Sequence, residues 1–129
     1  MPMGAEKFES KNLNLPEEVR NFSKGKVELV NIAGAAIARA TFEPGWKWSI
    51  HVKPIANTHS CQAAHFGYQV SGTMTMRMDD GTEKTSKAGD VVNIPPGHDA
   101  WVVGNEAVVF LDFQGMADYA KQSKARGAD

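Results

Sequence analysis

The sequence predicts an all-β sandwich or barrel closed by one short C-terminal helix. Three observations carry that reading. Apolar-alternating runs recur along most of the chain and stay mostly within eight residues. Gly, Pro and Asp clusters punctuate them at regular intervals, as turns between strands do. No run has the length or periodicity of a long helix.

The elements follow in order. Residues 15–20 carry a Pro near a first helical position (Pro16), which predicts a short helical turn. Residues 27–32 and 36–42 are strand candidates separated by a turn that contains Gly34. Glu43-Pro44-Gly45 is a further turn. Residues 46–53 then alternate, with Trp46, Trp48, Ile50 and Val52 on one face and Lys47, Ser49, His51 and Lys53 on the other, which predicts a strand. The polar stretch to residue 60 reads as a loop. Residues 65–71 alternate again, with His65, Gly67, Gln69 and Ser71 opposite Phe66, Tyr68 and Val70. Residues 73–78 and 82–86 flank the Asp80-Gly81 pair of a tight hairpin. Residues 91–94, 99–103 and 107–113 complete the strands, and Met116 to Lys121 has helical composition. The domain division expected is an arm over residues 1–26, a barrel over 27–114, and a helix or tail over 115–129.

Composition narrows the function classes. A chain of 129 residues with 42% hydrophobic residues is one domain with one core. The formal net charge is −1 with both signs interspersed. No basic stripe argues for nucleic acid, and no polybasic run argues for a membrane surface. The most apolar run, residues 32–40, is too short to cross a bilayer and contains Arg39. The N-terminus lacks the apolar run of a secretion signal. The single cysteine, Cys61, rules out an intrachain disulfide, so a cytoplasmic, reducing setting is expected. No G-x-S-x-G and no phosphate-binding glycine loop occurs.

The spacing of glycines, histidines and prolines is more specific. Five residues separate Gly45 from His51, six separate His65 from Gly72, and five separate Gly89 from Pro95, with Gly97 two residues on. From Phe42 to Phe113 the chain resembles the cupin superfamily, whose fold is a double-stranded β-helix or jelly-roll barrel. Read back from His65, His59-Ser60-Cys61 falls on the family's His-x-His pair, with Cys61 at the second histidine and His65 where the family has Glu. In the second motif Gly89, Pro95 and Gly97 fit, while Ala100 stands at the histidine position and His98 lies two residues before it. The resemblance implies a transition metal in the barrel mouth, and often activity on a small organic molecule.

His59, Cys61, His65 and His98 are therefore the candidate metal ligands, with His51, Gln69 and Trp101 as candidate walls of a ligand pocket. Imidazole and thiolate donors point to a divalent transition metal, Zn, Fe or Ni, and away from Mg or Ca. Asp99 is a candidate acceptor for the His98 ring. Each donor also has an ordinary reading: a solvated loop for His59, a solvated strand edge for His51, a small buried hydrophobe for Cys61. Trp46, Trp48, Phe66 and Tyr68 form an aromatic set facing away from the histidines, suited to core packing or to a homodimer interface. The functional expectation is a metal-binding single-domain cupin that takes a small molecule. The alternatives are non-catalytic ligand binding or sensing, and a structural dimer.

Overall fold

The computed structural model describes residues 7–117 and 119–121. Nine strands are present among them: β1 Glu18–Phe22, β2 Gly25–Ile32, β3 Ala35–Phe42, β4 His65–Ser71, β5 Thr73–Met78, β6 Glu83–Lys87, β7 Val91–Ile94, β8 His98–Val103 and β9 Val108–Asp112. They form two antiparallel sheets, one ordered β1-β2-β3-β9-β4-β7 and one ordered β6-β5-β8. Alternation gives each sheet an apolar inner face. Val27, Leu29, Ala40 and Val108 of the larger sheet meet Met74 and Val102 of the smaller in one core. Each large apolar side chain buried there contributes about 1.5–3 kcal/mol.

Close approach inside the larger sheet fixes one residue type. A Cβ at position 67 would overlap the Leu111 carbonyl of the neighbouring β9. Glycine there lets β4 and β9 pack, and it sits directly opposite Asp112 in the register.

Three local expectations are corrected. Residues 18–20 do not continue a helical turn but belong to β1, because Glu18 to Phe22 find a ladder partner in β2. That pairing outweighs local propensity. Residues 46–53 do not form a strand. Among the described residues no ladder partner takes them beyond the isolated Lys47–Trp101 bridge. Their N–H groups close locally instead, His51 to the Lys47 carbonyl and Val52 to the Trp48 carbonyl. The result is α1 Trp48–His51 followed by α2 Lys53–Ala56. Helical spacing buries Trp48 and Val52 together, while Ile50, which a strand would have placed beside them, is 61% exposed.

The third correction concerns the C-terminus. The described residues from Met116 to Lys121 form bends and turns, not a helix. The Arg20 guanidinium donates to the carbonyls of Met116, Ala117 and Tyr119 at 2.7–2.8 Å. Those acceptors are the ones a helix would need for itself. Ala120 has φ +56°, which also stops helical continuation. The rest of the expected helix, residues 122–129, lies outside the described residues. The strap so formed crosses one end of the barrel, with Gly115 (φ +88°) packed so tightly on the Ala64 carbonyl that a Cβ would overlap it.

Candidate metal centre

Three strand ends and one loop build the site. His65 opens β4, His98 opens β8, and Asp112 closes β9. Cys61 precedes β4 and pairs with His98 through the backbone. The Cys61 N–H donates to the His98 carbonyl at 2.8 Å, and the Gly97 N–H donates to the Cys61 carbonyl at 2.7 Å. The turn at residues 95–97 therefore sets His98 beside Cys61.

One donor atom each from Cys61, His65 and His98 lies within 4.8 Å of the other two, and all three residues are buried. Cys61 Sγ is 3.7 Å from His65 Nε2. The two imidazoles meet edge to face with centroids 5.4 Å apart, and the Tyr119 ring stands edge-on to His65 at 5.3 Å.

The outer nitrogens of both rings are committed. His98 Nδ1 lies 2.9 Å from the Pro95 carbonyl, which only accepts, so Nδ1 donates there and Nε2 is the nitrogen left facing inward. His65 Nδ1 lies 2.6 Å from Oδ2 of Asp112, a carboxylate with no exposure at all. The other Asp112 oxygen accepts from the Gln114 N–H at 2.9 Å. An acceptor behind each ring, turning Nε2 inward, is how proteins orient metal-ligating histidines.

Electrostatics bind the group together. Burial pushes the Cys61 thiol up, but hydrogen bonds and charge from His65 and His98 more than reverse this and bring it down to about 6. Burial pushes the His65 imidazole down, and the bonds to Asp112 and Cys61 carry it up to about 9. In the metal-free chain the pair is a thiolate beside an imidazolium.

A cavity of about 30 Å³ adjoins the two histidines. Its wall is apolar: Phe42, Trp46, Trp48 and Phe110 from the barrel, Met116 and Tyr119 from the strap, and aliphatic side chains of β5, β7 and β8. The donor set fits a divalent transition metal. A tetrahedral ion with thiolate and imidazole ligands holds S and N about 3.5 Å apart, close to the 3.7 Å found here.

The sequence-predicted residues divide clearly. Cys61, His65 and His98 come together. His59 is exposed and lies outside the group. His51 is half-buried and accepts the Lys47 N–H on its own Nδ1 at 3.0 Å, closing its own helical turn. Gln69 is fully buried but is occupied by the Gly72 carbonyl and Ser86 Oγ, away from the cavity wall. Trp101 is half-buried with Lys47 Nζ 5.1 Å from its ring centre, and it does not line the cavity. Asp99 takes the Ser49 and Ala100 N–H groups instead of the His98 ring. Trp46 and Trp48 line the same cavity as the histidines, because the chain turns helical there, whereas Phe66 and Tyr68 face outward. Sequence reasoning missed Asp112, Met116 and Tyr119. An acidic residue ending the apolar run Val108-Val109-Phe110-Leu111 was the available signal for the first.

Comparison with solved structures gives the class. Oxalate decarboxylase from Lactobacillus farciminis, in its formate complex, superimposes with a TM-score of 0.56 at 19% identity, covering 79% of this chain and 32% of that one. Oxalate decarboxylase from Bacillus subtilis gives 0.52 at 27% identity, covering 77% of this chain and 27% of that one. A cupin-like protein from Thermotoga maritima gives 0.51 at 18% identity, covering 74% and 72%. The chain has the cupin fold, and it spans a third or less of either decarboxylase. No protein-family model and no curated protein matches it.

Proposed function

We propose that this chain holds a divalent transition metal through Cys61 Sγ, His65 Nε2 and His98 Nε2, and presents it to a small molecule in the adjoining cavity. One observation carries the reading: two imidazoles, each with its outer nitrogen donated to a fixed oxygen, turn their inner nitrogens toward a buried thiol. Such a donor set suits Zn, and Fe or Ni next. Three protein ligands leave a coordination position free, and a bound ion would supply a Lewis acid there. The protein's own part is to fix the ligands, keep bulk water out with the strap, and hold the His65 Nδ1 proton on Asp112.

Elemental analysis of untagged protein tests this. Wild type should carry about one equivalent of metal per chain, and Cys61→Ser/His65→Ala should carry almost none. Equal metal in both would refute the site.

A second reading concerns assembly. Phe66, Tyr68, Val70, Val91 and Phe113 are each more than two-fifths exposed. They share the outer face of the larger sheet, where Tyr68 lies between Val91 and Leu111. Together they present on the order of 400 Å² of apolar surface, as large as monomers usually tolerate and about half of one partner's share of a stable interface. We propose a homodimer through this face. A two-fold pairing would cover each copy's patch with the other's.

A further inference from the structure

Resting on the metal reading above, we infer that the cavity takes a small uncharged molecule, largely apolar with a single acceptor oxygen, and rejects carboxylates. Charge and the lining of the cavity argue this independently.

A divalent ion at the three donors brings two positive charges. The Cys61 thiolate and the Asp112 carboxylate, hydrogen-bonded to the His65 ring, bring two negative ones. The imidazoles are neutral ligands, so the centre is balanced before any ligand arrives. An anion entering it becomes an uncompensated charge in an apolar space, which is costly.

No lysine or arginine among the described residues lines the cavity to receive such an anion. Arg20, which holds the strap, is spent on three of its carbonyls and on Glu18 Oε2 at 2.6 Å. Asp112 has both oxygens engaged and would repel a second carboxylate. The remaining wall is aromatic and aliphatic, and it favours an apolar body. A single acceptor oxygen on that body would serve the coordination position left free at the metal. The volume, about 30 Å³, restricts the ligand to a handful of heavy atoms.

Butanone and propionate form an isosteric pair, one neutral and one anionic. Each would be titrated into the full chain loaded with cobalt(II). The readouts are the ligand-field bands of the cobalt and the indole N–H resonances of the tryptophans. Butanone should bind at least about tenfold tighter than propionate. It should also move the Trp46 indole resonance. Equal or reversed affinity overturns the inference, and so does the failure of both probes to perturb the cavity. Replacing the buried carboxylate, Asp112→Asn, should favour propionate relative to butanone by about tenfold. If that variant does not fold, the wild-type pair still decides. Cobalt uptake is read first, from the thiolate-to-metal charge-transfer band. A missing band refutes the metal reading alone, since the same titration of the metal-free chain still tests the preference for a neutral ligand against the same wall and the same Asp112.

Discussion

Stripped of metal by a chelator, the chain should reveal its Cys61–His65 contact through the ultraviolet absorbance of the thiolate. The perturbation is pH. With the thiol brought to about 6, about nine-tenths of Cys61 is thiolate at pH 7, against about one-hundredth for an ordinary thiol near 9. Absorbance near 240 nm should therefore rise with a midpoint near pH 6 and be absent from Cys61→Ser. His65→Asn should move the midpoint upward, because burial then acts with one imidazole less to oppose it. A midpoint at or above about 9 in the wild type would refute the argument, because the thiol would then show no lowering by the imidazoles against burial.

The same pair makes a second, less obvious statement about stability. Cys61 is depressed on folding, so its contribution is full above its unfolded value near 9 and is lost as pH falls through 6. His65 is raised on folding, so its contribution is full below 6.5 and is lost as pH rises through 9. Between 6.5 and 9 the folded pair holds one proton on the ring, and the unfolded pair holds one proton on the sulfur. The numbers of bound protons match, and the two slopes cancel. The pair's contribution to melting temperature should therefore be flat between about pH 6.5 and 9, above the absorbance step.

Two further outcomes follow. Arg20→Ala removes the donor for three strap carbonyls and should destabilise the chain by about 2–4 kcal/mol in denaturant unfolding. It should also speed labelling of Cys61 by a thiol reagent several-fold, and an unchanged labelling rate would mean that the strap does not guard the site. Phe66→Asp/Tyr68→Glu places two charges in the outer patch and should leave a monomer in sedimentation equilibrium; wild type sedimenting as a monomer would dismiss the dimer.

Most strands were legible because period-two alternation bounded by Gly and Pro turns is a local signal. Residues 65–71 and 91–94 coincide with β4 and β7 to the residue. Residues 46–53 misled because Trp, Trp, Ile and Val two apart satisfy a strand, while Trp48 and Val52 four apart satisfy a helix equally well. Only the absence of a neighbouring ladder decides, and that is a tertiary fact. The site was legible as a spacing. Cys61 and His65 stand four residues apart, and His98 follows a Pro-Gly turn. What periodicity does not encode is which ring atoms are engaged, since the Pro95 carbonyl and Asp112 reach them only through folding. The strap was unreadable for the same reason. Its shape depends on Arg20, 96 residues before Met116.

The departure from the resembled pattern also has a physical sense once Asp112 is placed. Where the family pattern has a carboxylate at position 65, this chain has an imidazole, and the sequence supplies no obvious carboxylate nearby. The fold places Asp112 behind that imidazole instead, 47 residues away in sequence and 2.6 Å away in space. The negative charge is kept, but it acts through the ring and not as a ligand. The inner donors are then two nitrogens and a sulfur, a softer set than one containing an oxygen, which favours zinc-like ions over oxygen-seeking ones. A carboxylate outside the metal's reach also strengthens the imidazole as a ligand and fixes its tautomer. Removing it should weaken metal binding by about ten- to a hundredfold without removing a ligand, whereas removing Cys61 or His65 removes a coordinating atom. A role for Asp112 confined to packing would leave metal affinity untouched in Asp112→Asn, and that comparison separates an orienting carboxylate from a merely buried one.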